Sequence, residues 1–181
     1  MALATTLSRR AALLTVGAAI SLPRPGSAQR PTIRIGVLND QSGPYRDLGG
    51  PGAVACVRQA VRDFGDQGGF AVDVIAADHQ NKPDVGANIA RQWCDAGGVD
   101  VIVDLTASSV ALAVNGVVRE KNKVMITSSA GTTDLTGPQC SPNTVQWTFD
   151  VYMLAKATAT AVVKDGGESW FTIYADYVFG Q

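Results

Sequence analysis

Histidine occurs once in these 181 residues and cysteine three times, with no CxxC pair and no His/Cys cluster. Structural zinc sites need such clusters at short spacing, so no metal centre is expected. Cys56, Cys94 and Cys140 cannot all pair, so at least one thiol is left over or its partner lies outside the chain. Lysine and arginine number 15 against 16 acids, and no basic block is long enough for a nucleic-acid reader. Long apolar runs are missing too. Ala11–Leu22 has 12 residues, too few to cross roughly 30 Å of hydrocarbon as a helix. What remains is ordinary globular composition, 46% hydrophobic and 17% charged.

The N-terminus has a processing pattern. Arg9 and Arg10, the apolar run, and Gly26-Ser27-Ala28 follow the order of a signal peptide. Pro23 and Pro25 end the run directly, which argues against a buried helix. "SRRAAL" also resembles a twin-arginine export signal. Cleavage near Ala28 would remove three arginines and no acid, taking the net charge from −1 to −4. The product is expected to be exported, by the general secretory or the twin-arginine route, and soluble.

From Gln29 onward strands and helices alternate. Strand-like runs are Ile33–Leu38, Val72–Ala77, Val101–Leu105, Val124–Thr127, Thr144–Phe149 and Trp170–Tyr174. Most are short and apolar throughout, as in parallel strands covered on both faces. Four helical stripes lie between them: Val54/Val57/Val61/Phe64, Val85/Ile89/Trp93, Val110/Val114/Val117/Val118 and Leu154/Ala157/Ala161/Val162. Pro83 suits a first turn. Ser108 or Ser109 and Asp150 read as N-caps, and Asn122 as a helix stop. This rhythm predicts an α/β fold, an open parallel sheet with helices on both faces. If the strand order begins 2-1-3, right-handed crossovers put the helices of Cys56 and Cys94 on opposite faces, unpaired. The last residues, "WFTIYADYVFGQ", finish a strand and a turn and stop where a helix is due, so the chain is expected to be truncated.

Three kinds of chemistry compete. "GPGAVA", Gly50–Ala55, matches G-x-G-x-x-A, but Gly50 follows Leu38 by 12 residues, whereas a dinucleotide fingerprint needs its first glycine directly after the strand. A serine hydrolase would have to pair a rim serine with His79, without a G-x-S-x-G elbow. The third is binding without catalysis. In an open parallel sheet ligands sit beyond the carboxyl ends of the strands. There the sequence places "TASS", Thr106–Ser109, at a helix N-terminus, and "SSAGTT", Ser128–Thr133. Together these make a neutral, donor-rich rim suited to a carboxylate. Tyr45, in "SGPY", could add an aromatic wall.

The segments "IRIGVLNDQSGPYRDLGGPGAVA", "VDVIAADHQNKPDVGANIARQW", "MITSSAGTTDLTG", "CSPNTVQWTFD" and "FTIYADYVFG" closely resemble the periplasmic solute-binding proteins of branched-chain amino-acid-type ABC transporters. The resemblance runs over nearly all of Thr32–Gln181. It implies a type I periplasmic binding fold of two α/β lobes closing on a ligand at a hinge. Residues 1–28 would be the signal peptide, 29–149 an incomplete lobe one, and 150–181 the first helix and strand of lobe two. It implies ligand contacts from Ser108 or Ser109 and from Ser129, Ala130, Gly131 and Thr132, with glycine at 131 where the family has threonine. Tyr177 and Phe179 would lie on the aromatic-bearing loop of lobe two. The implied partners are a small carboxylate-bearing solute and an ABC permease, with no cofactor, no catalytic residue and no nucleic acid. The protein is expected to be a periplasmic monomer. Half a cleft should bind no amino acid tightly. The rivals are a sensor domain of the same fold and the hydrolase using His79.

Overall fold

The computed structural model describes residues 30–180. The expected signal peptide, residues 1–28, lies outside the described residues. Five parallel strands, β1 (Thr32–Asn39), β2 (Ala71–Asp78), β3 (Val101–Asp104), β4 (Val124–Thr127) and β5 (Thr144–Gln146), form one sheet in the order β2-β1-β3-β4-β5. This is the open parallel sheet expected, and it begins 2-1-3. The helices are α1 (Gly50–Phe64), α2 (Pro83–Asp95), α3 (Ser108–Lys121) and α4 (Val151–Lys164). Right-handed crossovers put α1 on one face and the packed pair α2–α3 on the other. Cys56 on α1 and Cys94 on α2 are therefore far apart in the layering, and all three thiols are free.

The core lies between the sheet and α2–α3. Leu38, Ile102, Leu105, Met125, Val110, Val114 and Val118 are fully buried there. Each such side chain contributes about 1.5–3 kcal/mol by leaving water. Local signals set the helix ends. Pro83 occupies the first turn of α2. Asn122 closes α3 in the left-handed conformation at φ 51°, where its carboxamide is tolerated. Asp150 caps α4 by accepting from the Met153 N–H at 2.7 Å.

Several expectations fail, for one shared reason. Trp170–Tyr174 forms no ladder and is not a strand. Phe171 and Ile173 are 88% and 86% exposed, because no strand among the described residues lies beside them. The α4 stripe is likewise uncovered, with no residue of the helix buried. Phe64, at the end of the α1 stripe, is exposed, and Val57 and Val61 are only half-buried. On the α1 side of β3–β5, Val103 and Ile126 are half-buried and Val124 and Val145 are exposed. β5 also stops at Gln146 instead of reaching Phe149, since only β4 flanks it.

Candidate ligand-binding edge

The carboxyl ends of β1, β2, β3 and β4 meet in a buried polar cluster of Asn39, Asp40, His79, Asp104, Thr106, Ser108, Thr127 and Thr132. Asp104 is its hub. Its carboxylate accepts from Asn39 Nδ2 at 2.9 Å and from Ser128 Oγ, and its carbonyl accepts from the Ser128 N–H at 2.9 Å. Asn39 Nδ2 also donates to the Gly50 carbonyl at 2.7 Å, tying in the start of α1. Asp104 and Leu105 hold φ of 84° and 54°, left-handed conformations that cost a residue with a Cβ about 1–3 kcal/mol each. The hydrogen bonds on both sides hold that bend, and it turns the chain from β3 into α3.

Two acids fix the loop after β1. Asp40 accepts from the N–H groups of Gly43 and Tyr45 at 2.7 and 2.9 Å. Asp78 accepts from the Gln41 N–H, the Ser42 hydroxyl and the Gln80 N–H. Burial pushes the Asp78 carboxyl up, but the bonds from Ser42, Gln41 and Gln80 outweigh it, and its pKa is lowered. Tyr45 is thereby aimed at the turn after α4, where its hydroxyl meets that of Tyr177 at 2.5 Å. Burial and this bond hold the Tyr177 phenol well above the usual range. Tyr177 stacks on Phe179 with centroids 5.9 Å apart, and the Phe179 ring lies against Gly131. The structure thus joins Tyr45, Tyr177, Phe179 and Gly131 in one chain of contacts.

The serine and threonine candidates divide differently. Ser108 and Ser109 are not the N-cap of α3. Ala107 holds that position with extended backbone and no side-chain cap, and the two serines form the first turn. Ala111 donates to Ala107 at 2.9 Å, which leaves the N–H groups of Ser108 and Ser109 open at the positive end of the helix. The Ser108 hydroxyl is buried without a partner, as are Thr106 Oγ1 and Asn39 Oδ1. In the loop after β4, Ala130 donates to Thr127 Oγ1, so its N–H is already engaged. Thr132 Oγ1 accepts from the Asp134 N–H and caps a short 3₁₀ turn. Among the described residues nothing accepts from the N–H groups of Ser129, Gly131 and Thr132. A groove of about 520 Å³ reaches Asp104, Ser128 and Ser129 from the α1 side, walled by Leu48, Ala53, Val57 and Trp147.

The structure does not pair His79 with a rim serine. The imidazole is fully buried, its Nδ1 accepts from the Asn81 N–H at 3.0 Å, and its Nε2 has no partner. No serine is bonded to it, so the nucleophile–base contact of a hydrolase is not formed. Burial lowers its pKa, against the opposing pull of Asp40, Asp78 and Asp104. Gly50, part of the nucleotide-like match, has φ 50° and starts α1 against the Asp40 carbonyl, a close-packed turn rather than a phosphate cradle. Sequence reading missed Asn39, Asp40 and Asp104, although an acid ending an apolar strand was a visible signal. It also missed Gln146, whose Nε2 donates to the carbonyls of Ala130 and Phe149, both at 2.9 Å.

An open parallel sheet with donors exposed along its carboxyl edge defines an α/β ligand-binding lobe. More narrowly, residues 32–181 match the periplasmic binding protein family model, and the chain belongs to that family. It is 46% identical to a periplasmic binding protein from Burkholderia mallei, with a TM-score of 0.77 over 82% of this chain and 40% of that one. It is 34% identical to a branched-chain amino acid ABC transporter periplasmic ligand-binding protein from Burkholderia xenovorans LB400, at TM-score 0.75 and the same 82% and 40% coverage. A solute-binding protein of an ABC transporter from R. palustris, solved with 4-hydroxybenzoate, shares the fold at 23% identity and TM-score 0.73, again over 82% and 40%. Among curated proteins none matches the chain. The chain spans about two-fifths of the length of these solved structures.

Proposed function

We propose that this chain carries the solute-gripping lobe of an extracytoplasmic receptor for ABC-type uptake of a small carboxylate-bearing solute, such as a branched-chain amino acid or a related compound. The observation that supports this best is the set of unengaged donors on adjacent strand ends. These are the buried Ser108 hydroxyl, the first-turn N–H groups of α3, and the N–H groups of Ser129, Gly131 and Thr132. Donors held rigidly at a helix N-terminus favour an anion and cost no reorganisation when it arrives. Tyr45, Tyr177 and Phe179 supply the apolar walls. No chemical step is required of any residue, so the reading is of a binder and not an enzyme.

The proposed organisation is a signal peptide over residues 1–28, lobe one over 29–149 and the start of lobe two over 150–181. The receptor works as a monomer in the periplasm and hands its solute to a permease in the inner membrane. Disrupting the gene and measuring uptake of labelled leucine, isoleucine, valine and aromatic acids tests the role. Loss of uptake of one of them is expected, and a changed transcriptional response with intact uptake would instead indicate a sensor. Sequencing the exported protein should find Gln29 at its N-terminus. His79→Ala should leave solute binding intact, whereas a hydrolase would lose turnover.

A further inference from the structure

Residues 151–180 leave the sheet region with little cover and come back to it at their end. α4 buries no residue, and Phe171 and Ile173 stand almost fully exposed. Residues 177–180 are half-buried. They close a tight turn: the Tyr177 N–H donates to the Ala175 carbonyl and the Gly180 N–H to the Tyr177 carbonyl, both at 2.8 Å. A Cβ at Gly180 would run into that Ala175 carbonyl, so glycine is what lets the turn close. The segment leading into it, residues 167–175, has no regular secondary structure. The turn is a compact body on an irregular lead.

Two side chains fasten the turn to the sheet region. The Tyr177 hydroxyl meets the Tyr45 hydroxyl at 2.5 Å, and the Phe179 ring, stacked on Tyr177, lies against Gly131. The Tyr45 end is firm. Asp40 accepts from the Tyr45 N–H at 2.9 Å, and Tyr45 packs against the core. The Gly131 end covers groups that lack partners. Gly131 and Thr132 are buried, and among the described residues nothing accepts from their N–H groups. Buried N–H groups without an acceptor are rare and costly, and a neighbouring phenyl ring does not replace one. A Cβ at Gly131 would stand 2.8 Å from the Phe179 ring, so no carboxylate fits between ring and peptide on that side while the turn is in place.

We propose that residues 175–180 are a strap, latched by the Tyr45–Tyr177 bond, that covers the Gly131 and Thr132 amides in the empty chain and lifts to admit the solute. This rests on the receptor reading above and adds a regulation of that site: Phe179 and the solute compete for the same ground. A ligand that binds only the lifted form loses apparent affinity in proportion to the fraction that stays latched. Weakening the latch therefore tightens binding, the reverse of what deleting part of a binding wall does.

Tyr45→Phe keeps the ring and deletes the latch hydroxyl. In the purified chain it should speed amide exchange at residues 177–180, Gly131 and Thr132 by about threefold to tenfold, the worth of one hydrogen bond, while β1 and β3 keep their protection. Tyr177→Phe breaks the same bond, so the double variant should do no more than either single one. Sodium acetate is the ligand probe, because its methyl group is too small to gain from the aromatic walls. Followed by the Gly131 and Thr132 amide shifts, with sodium chloride at equal ionic strength as the control, acetate should bind Tyr45→Phe about threefold to tenfold tighter than the parent chain. Phe179→Ala, which removes the covering ring from outside the core, should also bind it tighter. Unchanged exchange in both single tyrosine variants would overturn the latch. Faster exchange with acetate no tighter, or weaker, would overturn the strap and leave the receptor reading standing. If acetate moves those amides in no variant, Phe179→Ala included, both fall.

Discussion

Two parts of this chain carry the same kind of apolar patterning and end up in opposite environments. In the sheet region, Thr32–Gln146, the apolar positions of β1, β3, β4 and α3 close into a dry core. In residues 151–180, a helix with an apolar stripe and a run of Trp170, Phe171, Ile173 and Tyr174 remain exposed. The α1 side of β3–β5 belongs with the second group. Periodicity states which face of an element favours burial. Whether it is buried depends on a partner, and pattern alone carries no information about that partner.

The largest expected effect tests this contrast directly. Met125→Ala, in the core beneath α3, should cost about 2–5 kcal/mol through lost burial and the cavity left behind. Leu154→Ala on α4, 45% exposed, should stay within about 0.5 kcal/mol. Urea denaturation followed by far-ultraviolet circular dichroism measures both. Equal losses would mean that residues 151–180 fold into a core with the sheet, and the contrast would be gone.

That contrast also shows what could be read beforehand. Strand positions, the 2-1-3 opening and the caps at Asp150 and Asn122 were legible, because each rests on local chemistry or on the handedness of a crossover. The strand at Trp170–Tyr174 was not, since a ladder needs a neighbour. At the edge, Ser129 to Thr132 could be placed from the strand they follow. The engagement of the Ala130 N–H by Thr127, and of the Ala130 carbonyl by Gln146, could not, because each joins residues on different turns of the fold. The N-cap reading of Ser108 failed by one residue. The left-handed bend at Asp104 and Leu105 precedes an earlier start of α3, with Ala107 at the cap, and a bend stabilised by tertiary hydrogen bonds leaves no mark in local propensity.

A second prediction concerns that bend. Asp104→Ala removes one of the two acceptors of the Asn39 amide and the carboxylate partner of the half-buried Ser128 hydroxyl and keeps the Cβ strain, so it should cost about 2–3 kcal/mol. Asp104→Gly loses the same bonds but adopts φ 84° freely, so it should cost roughly 1 kcal/mol less than the alanine variant. Denaturation midpoints of the pair provide the comparison. If glycine is no better than alanine, the bend carries no strain.

Acid separates the two regions further, by a smaller amount. His79 has a folded pKa below its unfolded value of about 6.5. The unfolded chain therefore binds its proton first, and stability falls as pH drops below about 6.5 toward the folded pKa. Asp78, also depressed when folded, adds a loss at lower pH, below the unfolded carboxylate value of about 3.9 and on through its folded pKa. Both residues sit at the end of β2, so the loss belongs to the sheet. Thermal midpoints between pH 7.5 and 5 should decline, and His79→Gln should flatten the decline. An unchanged slope in that variant would remove His79 as its source.

The smallest effect tests α4 alone. Asp150 accepts from the Met153 N–H, and replacing such a cap with alanine costs a helix about 1 kcal/mol. In a helix packed into a core this would lower global stability. In α4, which buries no residue, it should instead loosen only the helix. Asp150→Ala should therefore speed amide exchange over Val151–Lys164, while the amides of β1, β3 and β4 keep their protection and the urea midpoint holds. The Val151 N–H bond to the Gly131 carbonyl ties α4 itself to the loop after β4, beside the Tyr45–Tyr177 bond and the Phe179–Gly131 contact that join the following turn to the sheet region. If exchange at Gly131 and Thr132 rises with that of α4, the binding loop is held by the helix that leaves it, and the two regions are mechanically one at that point.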